Sequence, residues 1–147
     1  MLHFPSGDED WESDDMEQYD DDMEQYDNKL YEKIENVMQS LRKETEPSSQ
    51  LALLMELCRV LPFCSEYSIS ELLNLLSPLL VEYSKNESNP DIMLFSLRAI
   101  THVCEVYPLS VEFFVEHNVV PTLCQRLFAI EYLDVAEQVI VAYLLLS

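Results

Sequence analysis

The chain has one glycine in 147 residues, Gly7 near its start. That excludes a glycine-rich loop around a phosphate and leaves little room for the tight hairpins of an all-β fold. No apolar run approaches the ~20 residues of a bilayer-spanning helix. The longest, Val139 to Leu146, is eight residues, so no membrane association is expected. The four cysteines, Cys58, Cys64, Cys104 and Cys124, form no CxxC pair and sit inside apolar patterns. They read as reduced core residues of an intracellular protein, in nucleus or cytoplasm. His102 and His117 lie 15 residues apart with no second ligand at i+4, so neither a metal nor any other cofactor is expected. Bases are scarce: eight Lys and Arg against 28 Asp and Glu, a net charge of −20. An acidic surface repels phosphates, which argues against nucleic acid and favours basic partners. The N-terminus turns acidic by Asp8, which fits neither a secretory signal nor a transit peptide.

What remains is rich in Leu, Ala, Glu and Met, and reads as all-α. Glu87 to Pro108 is the best-punctuated helix. Asn89 is a good N-cap, Pro90 occupies the first helical position, Asp91 suits the positive dipole end, and Pro108 stops the helix. Apolar residues cover most of its faces, and one polar stripe runs through Asp91, Arg98, His102 and Glu105. Such a helix needs neighbours on several sides.

The pattern returns with a period of 43. Pro78 and Asp91 fall on Pro121 and Asp134, and Ile92, Leu97 and Ala99 fall on Val135, Ile140 and Ala142. In the other direction Leu94, Leu97, Ile100 and Val103 fall on Leu51, Leu54, Leu57 and Val60. A period near 43 lies within the ~40–47 residues of armadillo and HEAT repeats. The expected fold is an armadillo/HEAT-like α-solenoid of about two to three repeats, preceded by a disordered acidic tail.

Residues 1–27 form that tail. Asp8 to Asp27 carries 12 acids and no base, and this self-repulsion opposes collapse. It contains a perfect tandem heptapeptide, Asp-Asp-Met-Glu-Gln-Tyr-Asp, at 14–20 and 21–27. The heptads are too few for a coiled coil, and an acidic-aromatic segment of this kind suits a basic protein partner. Residues 28–46 are expected to supply a capping helix (Asn28 to Lys43) and a linker, and 47–147 the repeats. Ser68-Ile69-Ser70-Glu71 reads as a capping box opening a leucine-rich helix, which Pro78 either kinks or divides. Short helices follow over 110–117 and 120–128, and a last one from Tyr132. Its apolar end is a sticky surface that predicts self-association or a partner there.

Residues on the third helices of successive repeats line the groove of such a solenoid. The spacing selects Met55 and Arg59, then Phe95, Arg98 and His102, then Gln138 and Val141 as binding residues. No residue is expected to be catalytic, because a reactive cysteine must be an accessible thiolate near a base or a positive dipole end. Cys58 and Cys104 occupy interior helical positions instead.

Three stretches resemble a known family: Pro47 to Leu61, Glu87 to Pro108, and Cys124 to Gln138. Asn-Pro-Asp-Ile-Met-Leu and Ile-Glu-Tyr-Leu-Asp-Val-Ala-Glu-Gln are the most specific of their motifs. Together they resemble the N-terminal armadillo region of plant HECT-type ubiquitin-protein ligases, the KAKTUS group related to the thyroid-receptor-interacting ligases. The resemblance covers about 44–138 and leaves out the acidic tail. It implies a substrate-recognition scaffold whose partners are ubiquitination substrates or a ubiquitin ligase, with a role in ubiquitin-dependent degradation. Catalysis in that family belongs to a separate HECT domain that these 147 residues do not contain, so no enzyme activity is expected of this chain. The alternatives are an acidic, chaperone-like binder of basic proteins and a truncated ligase remnant.

Overall fold

A computed structural model describes residues 8–122, 137–138, 140–141 and 144–145, with side chains from Asp22 onward. Among these residues there are helices and no strands. Five α-helices follow one another: α1 Asp8–Lys43, α2 Pro47–Val60, α3 Glu66–Ser84, α4 Pro90–Val106 and α5 Val111–Glu116. Short 3-10 turns at Leu61–Phe63 and Pro108–Ser110 join α2 to α3 and α4 to α5. Residues 119–122 and the described positions beyond Glu137 are also helical.

Helix α1 runs across the boundary expected at residue 27. One helix runs from Asp8 through what was read as a disordered tail and a separate capping helix. It has no Gly or Pro, its acids sit at the N-terminal end, and Arg42 and Lys43 fill the last turn, all in the sense the helix dipole favours. Residues 1–7 lie outside the described region. Three hydrogen bonds tie Asp27 to the start of α3, so the acidic segment is anchored at its junction with the body. Asp27 Oδ1 accepts from the Ser65 amide at 3.2 Å, and Oδ2 accepts from the Ser65 and Ser68 hydroxyls, both at 2.8 Å.

Those contacts also correct the start of α3. The N-cap is Ser65, three residues before the capping box read from the sequence. Its hydroxyl accepts from the Ser68 amide, and the Ser68 hydroxyl is taken by Asp27. Pro78 lies inside an uninterrupted α3 and neither divides it nor starts a new helix. Helix α2 begins at Pro47, in the same first-turn position as Pro90 of α4, which leaves Glu44–Glu46 as the only linker. Helix α4 matches its reading. Asn89 Oδ1 accepts from the Ile92 amide at 3.2 Å, and the helix ends at Val106, before Pro108.

Helix directions follow from the cross-contacts. Lys33 of α1 pairs with Glu56 of α2 across the 44–46 turn, so α1 and α2 form an antiparallel hairpin. Asp27 meets the start of α3, and the Leu41 carbonyl accepts from the Tyr83 hydroxyl near its end at 2.7 Å, so α1 and α3 run parallel. Helices α3 and α4, joined by a short loop, pack most extensively, and α2 packs on α4. With α3–α4 as a second antiparallel hairpin, α2 and α4 run parallel, side by side. One core threads both hairpins, from Ile34, Met38 and Leu41 through Leu54, Leu57, Ile69, Leu73 and Leu76 to Ile92, Leu97, Ile100 and Phe114. This is an all-α repeat solenoid whose unit is a helical hairpin. Each hairpin buries its apolar face against the next, so neighbouring units depend on one another.

Candidate binding face on helices α2 and α4

Helices α2 and α4 make up one layer, and the seven residues chosen by spacing lie on it and its continuation. Met55 and Arg59 are exposed on α2, where with Ala52 and Glu56 they line a shallow open depression of about 320 Å³. On α4, Arg98 is half-buried and lies over the Phe95 ring at 5.1 Å, a cation–π contact that holds the guanidinium at the surface. His102 Nδ1 faces Glu105 Oε2 at 3.6 Å, beyond hydrogen-bond reach. Val141 is exposed on the continuation of the layer.

Phe95 and Gln138 take part in contacts between helices. The Phe95 carbonyl accepts from Cys58 Sγ at 3.1 Å, and Gln138 Nε2 donates to Thr101 Oγ1 at 2.8 Å. Met55, Arg59 and Val141 are exposed, and Arg98 and His102 are half-buried, with His102 Nδ1 itself buried. In the 43-residue register Met55, Arg98 and Val141 occupy one row, and Arg59 and His102 the next. Glu56 is the member that spacing missed. It joins Arg59 to Lys33, whose Nζ lies 2.6 Å from Glu56 Oε1, and so ties the α2 face to α1. Hydrogen bonds from Arg59 and then Lys33 hold its carboxyl below the usual carboxylate range. The signal for it was an i,i+3 acid–base pair on α2.

Nucleophilic chemistry finds no support among the described thiols. Burial pushes the Cys58 thiol up to about 12, and those of Cys64 and Cys104 to about 11. All three are free and uncharged at neutral pH. Cys124 lies outside the described residues. No cluster of metal-ligating side chains occurs among the described residues, and no described helix is long and apolar enough to cross a membrane.

Comparison with known proteins places this architecture. Residues 3–147 match a family model described as "E3 ubiquitin-protein ligase TRIP12-like, TPR repeats". The chain is 56% identical over 107 residues to E3 ubiquitin-protein ligase UPL4 of Arabidopsis thaliana, covering 72% of this chain and 7% of that protein. It is 40% identical over 107 residues to UPL3 of the same plant, covering 72% and 6%. It is 30% identical over 116 residues to E3 ubiquitin-protein ligase TRIP12 of Danio rerio, covering 78% and 6%. The chain thus spans 6–7% of the length of these relatives. No solved structure matches it. The family description names the repeats TPR, a helix–turn–helix unit, where the sequence reading expects armadillo units of three helices. The α1–α2 and α3–α4 hairpins agree with the two-helix unit, although the 43-residue period exceeds the ~34 residues usual for TPR.

Proposed function

We infer the function of this chain from its membership: it belongs to the TRIP12-like E3 ubiquitin-protein ligase repeat family. Residues 3–147 are accounted for by the repeats, so none of these residues forms a catalytic ligase domain. We propose that they are a non-catalytic protein-interaction module of the ubiquitin system, which presents substrates, or a regulatory partner, to ligase activity located elsewhere. What supports this reading is the recurrence of row positions from α2 to α4, exposed on α2 and half-buried on α4. Met55 and Arg98 share one row, Arg59 and His102 the next, on parallel helices of one layer. An extended peptide laid across such a layer meets a similar set of positions at each repeat, which is how solenoids recognise long segments.

Arg59 and Arg98 are the charged donors of this face in a chain with few bases, and each guanidinium can fork onto a carboxylate or onto backbone carbonyls. Met55 supplies an adaptable apolar contact beside them. The test is a selection of random peptides on phage against the intact chain and its Arg59→Glu/Arg98→Glu variant. Peptides enriched on the first and lost on the second, with helicity unchanged by circular dichroism, support the face. Equal recovery on both variants removes it.

A further inference from the structure

The two 3-10 turns are copies of each other. Leu61-Pro-Phe-Cys-Ser-Glu-Tyr67 aligns with Tyr107-Pro-Leu-Ser-Val-Glu-Phe113. Pro62 falls on Pro108, Phe63 on Leu109, Cys64 on Ser110 and Glu66 on Glu112. The offset here is 46 and not 43, because α4 has 17 residues where α2 has 14. Helices α2 and α4 run parallel, so the turns at their C-terminal ends point the same way, and α3, which starts just after the first turn, packs on α5, which follows the second.

Each turn buries its small residue and exposes its large one. Cys64 and Ser110 are buried, while Phe63 is 66% exposed and Leu109 64%. Tyr67, on the first turn of α3, is 71% exposed. A buried residue flanked by a large apolar side chain left in water, in two successive units, is a feature that folding alone does not require. The segments that carry the two turns hold acids and no base, with Arg59 standing four residues before Phe63 on α2. From Val60 to Ser84 there are three acids and no Lys or Arg, and from Cys104 to Glu116 again three acids and no Lys or Arg. Glu66 and Glu112 occupy the same place in the two turns, and both are exposed.

We propose that this edge is a docking surface separate from the α2–α4 face, and that it takes a Lys/Arg-rich segment carrying large apolar side chains. Phe63, Tyr67 and Leu109 provide the apolar ridge, and Glu66 and Glu112 select against acidic segments. The α2–α4 face differs in carrying bases, the exposed Arg59 and the half-buried Arg98, beside Glu56 and Glu105.

The experiment uses the intact chain and a fluorescent peptide of roughly 18 residues, about five helical turns, built from Leu and Lys in an amphipathic pattern. Binding is read by anisotropy. Phe63→Ser/Leu109→Ser should weaken it about tenfold, as expected when central apolar anchors are truncated. Glu66→Lys/Glu112→Lys should weaken it by a similar factor, and a Leu/Glu peptide should fail to bind the unsubstituted chain but gain binding to this variant. Arg59→Glu/Arg98→Glu should not weaken binding of the Leu/Lys peptide, which separates this edge from the face above. All substituted positions are solvent-accessible, and circular dichroism checks that helicity is kept. Equal binding to the Phe63/Leu109 variant overturns the proposal, since the peptide would then be held elsewhere, for example by the acids of α1. A dimer in sedimentation that the same variant abolishes, with peptide binding intact, also overturns it, because the occupant would be a second copy of this chain.

Discussion

Replacing Asp27 by Asn tests whether α1 is held to the body by one carboxylate. Asp27 accepts three hydrogen bonds, from the Ser65 amide and from the hydroxyls of Ser65 and Ser68. Charge-assisted bonds contribute about 1.5–3 kcal/mol each, so three unscreened ones would total about 4–9 kcal/mol. Asp27 is only half-buried, however, and exposed ionic contacts are worth about 0–1 kcal/mol each. The expected loss for Asp27→Asn therefore lies nearer the screened limit, at about 1–2 kcal/mol, or roughly 2–6 °C in Tm for a chain of this size. The pH dependence supplies a second readout. Partial burial alone would raise the Asp27 carboxyl, but the bonds from Ser68 and Ser65 outweigh it and hold it below its ordinary 3.8. A depressed folded value means that the unfolded chain binds the proton more readily. The stabilisation is thus complete above the unfolded value of about 3.9 and disappears as pH falls through the lower folded one. Urea melts of both proteins followed by circular dichroism should show a gap at pH 7 that closes below about pH 4. Equal stability at pH 7, or a gap that stays constant down to pH 2.5, would refute the clamp.

Three further outcomes can be checked on the same protein. Ser77 Oγ on α3 is buried with no hydrogen-bond partner among the described residues. Ser77→Ala should therefore leave stability unchanged or raise it by about 1 kcal/mol, and a loss of that size in a urea melt would show that the hydroxyl has a partner. Burial holds the thiols of Cys58, Cys64 and Cys104 at about 12, 11 and 11. Thiol titration with a chromogenic disulfide at pH 8 should be slow for these three in the native chain and fast in denaturant. Rapid native reaction of any of them, located by mass spectrometry, would contradict their core assignment. Ile140 and Leu145 are exposed apolar residues on the continuation of the α2–α4 layer. We propose them as a contact between copies of the chain: light scattering should give a species larger than a monomer that Ile140→Glu/Leu145→Glu reduces, and a monomer, or a size distribution that the variant leaves unchanged, would dismiss that surface.

What the sequence disclosed depended on the range of the interaction. The start of α4 was legible because Asn89, Pro90 and Asp91 act on amides within three residues of themselves. The start of α3 was misplaced by three residues for the opposite reason. Ser68 and Glu71 satisfy a local capping pattern, but the Ser68 hydroxyl is taken by Asp27, 41 residues earlier, and Ser65 caps instead. The same long-range contact hides the continuity of α1, since 12 acids in a row of 20 residues describe a solvated tail until one of them is seen to dock. Pro78 looked like a break because proline removes one backbone bond. In α3 the neighbouring Leu76, Leu80 and Val81 are all buried, and their packing keeps the helix whole. The i,i+3 pairing of Glu56 with Arg59 was legible, but its link to Lys33 requires the hairpin to be known first.

The 43-residue period is the feature that joins both scales, and two contacts show how. Cys58 bonds to Phe95, and Thr101 bonds to Gln138; each pair is separated by 37 residues. Adding 43 to Cys58 gives Thr101, and adding 43 to Phe95 gives Gln138. The same inter-helix position is therefore used twice, with different chemistry: a thiol to a carbonyl in the first case, an amide to a hydroxyl in the second. Helices repeated at 43 but touching at 37 are staggered by six residues, about 9 Å along the helix axis at 1.5 Å per residue. A constant stagger between parallel neighbours is what turns a stack into a superhelix. With this stagger the Phe95 carbonyl and the Gln138 side chain lie at the seam between units, beside the row of Met55, Arg98 and Val141.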